Sequence, residues 1–421
     1  MQKFGKIRLV IFFIYLVYYP ASAQEITLNE CYQKAKQNYP LIKRNELITK
    51  SKDYNIQNAA KGWLPQFNIS AQISYQSDVT EIPIKIQGVN IDPLSKDQYK
   101  AVIDVSQNIF DGGNISNQKK AASTQSDIEI EKNNVDLDKL KERINQLYFG
   151  ILMTDEQLRQ TDFTKQDIEN GIVKAEAQLK NGVIFRSNLE VLKAQLLVIE
   201  QRQIEYRNVR RNFLDMLSMF IHQKLDDDTI LEEPEKLILS SENNRSELKL
   251  FDFQKQYLDI QKLVVKTRNL PKLSLFFQGG YGKPGLNMLK NEFDTFYIGG
   301  LRLNIPITGF YTQKNDLKII KNQQDDIEIL KENFLFNQSL ESIQNKNELE
   351  KIQNLIDKDG ELIILRENIK KASLAQLDNG VADTNDYLRE VNAEEQAKIL
   401  KIQHEIQYLL VQYNQRALYN N

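Results

Sequence analysis

The sequence predicts a membrane protein of the α+β class, in which four β-strands from each chain form part of a closed barrel and very long helices continue it. Three observations support this prediction. The chain begins with an export signal. Four segments of about ten residues alternate between apolar and polar side chains, which is the length and period of a membrane-spanning strand. Two proline-free stretches of 67 residues each, 114–180 and 312–378, are long enough for helices of roughly 100 Å.

The composition argues against two classes of protein. With 55 Lys and Arg residues against 57 Asp and Glu residues, the formal net charge is -2, so no basic surface for nucleic acid is expected. One cysteine and two histidines leave few side chains for a metal, redox or hydrolytic site. We therefore expect no enzyme, and no catalytic residue, cofactor or metal ion.

Residues 1–23 have the pattern of a secretory signal peptide. Lys3, Lys6 and Arg8 precede an apolar run at 9–19, and a small-residue cleavage site ends at Ala23. A membrane anchor is the alternative, but an anchor needs about 20 apolar residues and this run is shorter. If the exported chain lives in a membrane, it must cross it as a closed β-barrel.

The rest of the chain is predicted to form two structural repeats, residues 24–230 and 231–421. Leu64-Pro65 recurs as Leu270-Pro271, and the turn at 181–183 recurs at 379–381. Each repeat is predicted as one helix, two strands, a very long helix and a long helix. The predicted elements of the first repeat are a helix at about 28–61, strands at about 66–76 and 98–110, and helices at 114–180 and 187–221. Those of the second are a helix at about 245–268, strands at about 272–282 and 294–307, and helices at 312–378 and 385–418.

The alternating strands fit two kinds of sheet. A soluble antiparallel sheet with one wet face shows the same pattern and is the commoner case. Membrane length, aromatic residues near the strand ends and the export signal favour a barrel wall with one face to lipid. The predicted lipid-facing residues are Phe67, Ile69, Ile73, Tyr75, Tyr99, Ile103, Leu275, Phe277, Tyr297, Leu301 and Leu303. The charged residues predicted to face the lumen have mixed signs and are Lys100, Asp104, Lys272, Asp294 and Arg302.

Four strands are too few to close a barrel, since the smallest membrane barrels have about eight. Three copies of the chain would supply twelve, an even number that leaves room for a lumen. The long helices also call for partners, because a helix of this length is not stabilised by propensity alone. Leu137, Leu140, Ile144, Leu147 and Ile151 follow one another in steps of three and four residues, which predicts a coiled-coil seam.

These features together resemble the TolC-type outer-membrane efflux family, also called outer-membrane factors. The resemblance covers essentially the whole mature chain. It rests on the signal peptide, the twofold order of elements, the segment Val105-Ser106-Gln107-Asn108-Ile109-Phe110-Asp111-Gly112-Gly113 and its counterpart at 301–307. The resemblance implies a homotrimer whose 12-stranded barrel lies in the lipid of the outer membrane. A long antiparallel α-helical coiled-coil barrel would continue it into the periplasm.

The resemblance also implies a function without chemistry of its own. Members of this family are passive exit ducts of tripartite efflux or type I secretion systems. A periplasmic adaptor (membrane fusion) protein and an inner-membrane pump, driven by ions or by ATP, recruit the duct and open its periplasmic tip. Two other classes remain open, namely a trimeric surface adhesin and a periplasmic coiled-coil scaffold with a soluble sheet.

The resemblance points to two groups of functional residues. The turns that join the long helices match the tips where the family docks its adaptor; they are Asn181, Gly182, Val183, Asn379, Gly380 and Val381. Ordinary tight turns explain the glycines equally well. Asp386 matches an aspartate of the family's periplasmic aperture, and Arg389 stands where a second aspartate is expected. Alternatively, Asp386 pairs with Arg389 or caps its helix. In the first repeat, Ser187 and Glu190 predict a capping box at the start of the helix at 187–221.

Overall fold

The computed structural model describes residues 25–81, 93–237 and 242–420. The predicted signal peptide at 1–23 lies outside the described residues. The chain divides into two compact units. One, here called the helical unit, contains the described parts of 1–35, 144–237 and 352–410. The other, here called the sheet unit, contains the described parts of 36–143, 238–351 and 411–421.

The sheet unit contains one antiparallel sheet of four strands in chain order, which confirms the prediction of an α+β chain with four strands. The strands are β1 (Gln66–Tyr75), β2 (Asp97–Phe110), β3 (Lys272–Lys283) and β4 (Asp294–Asn304). Their register aligns the predicted apolar residues, since Ile69 lies opposite Ile103 and Leu275 lies opposite Leu301. The fourth strand ends three residues before the predicted position 307. Pro306 explains the early end, because it has no N–H to donate to a neighbouring strand.

The first helix differs from its prediction. The predicted single helix at 28–61 is wrong, because the chain forms α1 (Leu28–Asn38) and α2 (Ile42–Ala60) with a break between them. Pro40 lies in the break, where it lacks a backbone donor and disfavours helical dihedrals in the residue before it. The counterpart in the second half, α5 (Ser246–Thr267), is a single helix within the described residues.

Two very long helices follow the strand pairs. α3 (Asn114–Lys180) has 67 residues and α6 (Phe310–Asp378) has 69, each roughly 100 Å at 1.5 Å per residue. Asp111 fixes the start of α3, because its two carboxylate oxygens accept hydrogen bonds from the N–H groups of Gly113 at 2.8 Å and Ile115 at 2.6 Å. The helices that return from the two long ones are α4 (Arg186–Ile221) and α7 (Thr384–Leu418).

Apolar side chains pack the long helices. All five residues of the predicted coiled-coil seam of α3 are buried. In the helical unit, Ile168 of α3, Leu192 and Ile199 of α4, and Leu388 of α7 belong to one buried cluster. Burying each such side chain contributes about 1.5–3 kcal/mol. Among the described residues, no helix combines the length and the apolar character needed to cross a membrane.

Candidate functional site

One face of the sheet is apolar and open to its surroundings. All eleven residues predicted to face lipid are exposed, with Phe67 at 72% and Ile73 at 78% of their maximum exposure. The alternation of β1 puts Phe67, Ile69, Ile73 and Tyr75 on this face, and the register adds the apolar residues of the other three strands. Exposed apolar patches of this kind on soluble monomers are rare and mark contact with a membrane or a partner.

Aromatic rings contact one another on this face, one group at the end next to the loops and one pair nearer the middle of the strands. The ring of Phe293 stacks on Tyr281 at 5.4 Å and lies 5.8 Å from Tyr99. Phe277 stacks on Tyr297 at 6.3 Å. Tyrosine and other aromatic rings favour the boundary between lipid and water. The arrangement therefore suits a sheet that crosses a bilayer.

The sheet also has two open edges. The order β1-β2-β3-β4 leaves one side of β1 and one side of β4 without a strand partner among the described residues. Each open edge presents backbone N–H and C=O groups that need hydrogen bonds. Inside lipid no water can supply them, so such edges have to be paired with further strands.

The opposite face of the sheet is polar, with two aromatic side chains that the sequence analysis missed. Gln278 donates a hydrogen bond to Asp104 at 2.7 Å, as expected on a wet face. Phe276 and Phe296 share this face and are half-buried. The Arg302 guanidinium lies 4.6 Å from the ring of Phe276. Adjacent phenylalanines at 276–277 put one ring on each face, so strict alternation fails there.

The two turns between the long helices have the same geometry. Gly182 and Gly380 adopt positive φ angles of 72° and 70°, where a side chain would strain the backbone. The next residues complete the motif, because Val183 donates its N–H to the Gln178 carbonyl at 2.9 Å and Val381 does so to Gln376 at 2.8 Å. Both valines are exposed, at 65% and 78%. The turns thus present small apolar tips from the helical unit.

The residues after each turn start the next helix in different ways. The predicted capping box of Ser187 and Glu190 is wrong, because α4 begins at Arg186 without a side-chain cap and Glu190 instead pairs with Arg186 at 3.3 Å. At α7 a capping box does form. Asp386 donates its N–H to the Asp383 carboxylate at 2.9 Å, and the Asp386 carboxylate accepts from the Asp383 N–H at 3.4 Å.

Asp386 has a second partner within the chain. Its Oδ1 lies 3.2 Å from a guanidinium nitrogen of Arg389, three residues along α7. Both local roles considered for Asp386, the cap and the ion pair, are therefore present together.

Charged side chains join the first pair of long helices to the second within the helical unit. The Lys370 ammonium donates to Asp167 at 2.8 Å and also contacts Glu394. Burial lowers the pKa of Lys370, but the hydrogen bonds to these two carboxylates outweigh it and leave the pKa above its ordinary value. Arg202 donates to Glu395 at 2.8 Å. Burial raises the pKa of Glu395, and Arg202 opposes this only in part.

A four-stranded sheet with one apolar face, followed by very long paired helices, is the fold of outer-membrane channel proteins. CusC shares it with a TM-score of 0.69 and 13% sequence identity, over 93% of this chain and 91% of CusC. VceC from Vibrio cholerae gives 0.67 and 13%, over 93% and 95%. The CmeC outer membrane channel from Campylobacter jejuni gives 0.66 and 16%, over 93% and 85%.

Part of the sequence matches a known protein family. Residues 31–215 match the profile of the outer membrane efflux protein family. No curated protein sequence matches the chain. The predicted family is confirmed over residues 31–215, which match its profile, and the chain as a whole has the fold of these channels. Such proteins are outer-membrane transport channels and not enzymes.

Proposed function

We propose that three copies of this chain form a passive exit duct of a tripartite efflux or type I secretion system. The observation that carries the proposal is the sheet, with its exposed apolar face and its two unpaired edges. Because the smallest membrane barrels have about eight strands, one copy cannot close a wall. Joining β1 of one copy to β4 of the next pairs every edge and gives twelve strands around a polar lumen.

The long helices are the evidence for the periplasmic part of the proposed duct. α3 and α6 follow the strand pairs directly in sequence, and at roughly 100 Å each they can carry a helical barrel through the periplasm. Their exposed apolar side chains include Ile329, Phe336, Ile343 and Ile364 of α6. Neighbouring copies would cover these side chains in the trimer.

The oligomeric state and conductance of the full-length protein test the proposal. The mass of the protein in detergent, measured by light scattering after size exclusion, should equal three chains. The same preparation should conduct KCl in planar lipid bilayers, with detergent alone as the control. A monomer that stays soluble without detergent would instead indicate a periplasmic scaffold. Trimers that never conduct would favour a surface adhesin.

We also propose that the two turn tips bind a periplasmic adaptor. The support is the shared geometry of the turns and the exposure of Val183 and Val381. A photo-crosslinking amino acid at Val381 should capture a periplasmic adaptor in cells, identified by mass spectrometry. The same amino acid at Leu289, an equally apolar exposed residue between β3 and β4, should not. Identical products from both positions would remove the tips from adaptor binding.

Opening of the tip would require the helix pairs to separate. The contacts of Lys370 with Asp167 and of Arg202 with Glu395 link the pair α3–α4 to the pair α6–α7. An adaptor that binds the turns would therefore have to outweigh these charged links. The aperture role of Asp386 belongs to the same proposal, because a threefold axis would place three copies of this carboxylate in a ring.

A further inference from the structure

A small pocket on the polar face of the sheet has the chemistry of a ligand site. We infer that it binds a small organic anion with a flat apolar group, such as an aromatic carboxylate. This inference rests on the proposed function in one respect, because exported solutes meet the pocket only if the polar face lines a lumen. It then names a class of solute that the duct contacts.

The pocket lies between the strands and the loop that joins β3 to β4. Its volume is 240 Å³, and its wall includes Gln72, Lys100, Gln278 and Phe296 from four different strands, together with Leu286 from the loop. Ligand pockets for drug-sized molecules are larger, at about 300–1,000 Å³. This pocket therefore suits one ring-sized group rather than a large molecule.

The apolar part of the pocket is built into the sheet. Phe296 lies across Gly280 of the neighbouring strand so closely that an added Cβ at Gly280 would overlap the ring. The missing side chain at Gly280 leaves room for the ring, and Phe296 is half-buried there. Ile298 and Leu286 add apolar surface beside the ring. A flat apolar group could stack here at little entropic cost, because Phe296 is already held in place.

The charged part of the pocket is positive. Lys100 and Lys283 are the charged residues among the described lining residues. Lys100 shares the polar face with Gln278, whereas Lys283 pairs with Tyr99 of the apolar face, so Lys100 supplies the charge that faces the pocket. The Lys100 ammonium lies 5.5 Å from the centroid of the Phe296 ring. Neither lysine forms an ion pair with another described residue. Asp104 is on the same face, but it accepts a hydrogen bond from Gln278 and does not line the pocket.

Charge and shape together select the ligand. A carboxylate placed between Lys100 and the glutamine amides would gain charge-assisted hydrogen bonds, while the ring of the ligand covers Phe296. A neutral solute of the same shape would leave the lysine without a counter-charge. A cationic solute would be repelled by Lys100.

Ligand-observed NMR on the full-length protein in detergent tests this inference. Saturation-transfer titrations with benzoate give the Kd for the wild type, and benzyl alcohol and acetate serve as probes that lack the charge or the ring. Lys100→Gln and Phe296→Leu should each weaken benzoate binding by about tenfold or more, as expected for a lost charge-assisted or stacking contact. Lys272→Gln removes the same charge from the same face at the other end of β3, so its Kd should stay within about twofold of the wild type.

The outcomes separate the two proposals. Equal benzoate binding by the wild type and Lys100→Gln, or equal binding of benzyl alcohol and benzoate, would overturn the site whatever the channel does. The KCl conductance of the same preparations reports on the duct alone. A conducting wild type that does not bind benzoate would leave the duct standing and remove the ligand site. A protein that binds benzoate but never conducts would keep the site and remove the duct.

Discussion

At the scale of single residues, the two oxygens of the Asp386 carboxylate already have partners in the chain. One accepts from the backbone N–H of Asp383 and the other lies beside Arg389. An exposed ion pair of this kind contributes only about 0–1 kcal/mol, so its loss should not unfold α7. The charge of Asp386 is therefore free to be tested separately from its role as a cap.

We expect Asp386→Asn to keep the cap, because the amide oxygen still accepts a hydrogen bond, and to remove the charge. If three such charges narrow the aperture, open-channel conductance should rise for Asp386→Asn and for Asp386→Ala, with trimer assembly unchanged. Single-channel recording in planar bilayers measures the effect. The control is Asp378→Asn, which removes a carboxylate paired with Lys174 at 3.2 Å near the same turn. Unchanged conductance would limit Asp386 to its local contacts.

Glu394 gives a pH-dependent prediction. Burial raises its pKa, but hydrogen bonds from Lys370 and Lys398 lower it more, so the pKa in the folded protein lies below 4.5. A lowered carboxyl pKa contributes stability above the unfolded value, and this stability is lost as pH falls through the folded value. At pH 7, Glu394→Gln should therefore destabilise the protein by about 1–3 kcal/mol.

Thermal unfolding of the wild type and Glu394→Gln in detergent, followed by circular dichroism, measures this difference. The gap in Tm should be largest at pH 7 and should shrink as pH falls below 4.5. Lys398 donates to Glu394 at 2.7 Å from one turn along α7. Lys398→Met should therefore show a smaller gap of the same sign. A gap that is constant from pH 7 to pH 3 would contradict the proposed cause.

At the scale of elements, the sequence predicts strands and long helices well because their signals are local. Alternation along β1 and the absence of proline in 114–180 each follow from one segment alone. The break between α1 and α2 was also signalled locally, by Pro40. Phe296 was missed for a different reason, since its place on the polar face depends on Gly280 in another strand. Pairs of aromatic and glycine residues in register become visible only once the strand pairing is known.

The packing of the Phe296 ring against Gly280 can be tested by substituting the glycine. In Gly280→Ala the new methyl would overlap the ring and would lie 3.0 Å from the Ala101 carbonyl oxygen, so the sheet should lose about 1–3 kcal/mol. Gly279→Ala is the matched control, because its Cβ would meet Phe277 at an ordinary 3.4 Å on the other face. The temperature at which trimers dissociate on gels measures both. If Gly280→Ala and Gly279→Ala dissociate at the same temperature, the Phe296 ring can move aside to accept the methyl group.

At the scale of the whole molecule, the two faces of the sheet predict opposite responses to the same substitution. Ile69 is 76% exposed on the apolar face, and its neighbour Ser70 points to the polar face. Lysine on a lipid-facing strand costs about 2–4 kcal/mol near the bilayer centre. Ile69→Lys should therefore lower the yield of trimer in membranes strongly, while Ser70→Lys should leave it nearly unchanged. Quantified trimer in purified outer membranes checks this, and equal yields would contradict a lipid-facing apolar face.

The assembly is the part that one sequence predicts least directly. The proposed number of copies rests on counting strands, and the alternating pattern of β1 does not specify which strand pairs with its open edge. The role of the turns is similar, since Gly182 and Gly380 are explained by their backbone angles before any partner is considered. Such roles depend on surfaces of other chains, so the periodicity of this chain cannot reveal them.

The two unpaired strand edges also bear on how the protein reaches its membrane. A single sheet moving into lipid would carry the bare backbone groups of β1 and β4 with it, and each unsatisfied group costs several kcal/mol there. In a duct closed by three sheets, these groups find partners only when the copies meet. Arrival in the bilayer is therefore expected to be concerted, with a rate that climbs steeply with the amount of exported chain. Scarce copies would stay outside the bilayer until enough of them accumulate.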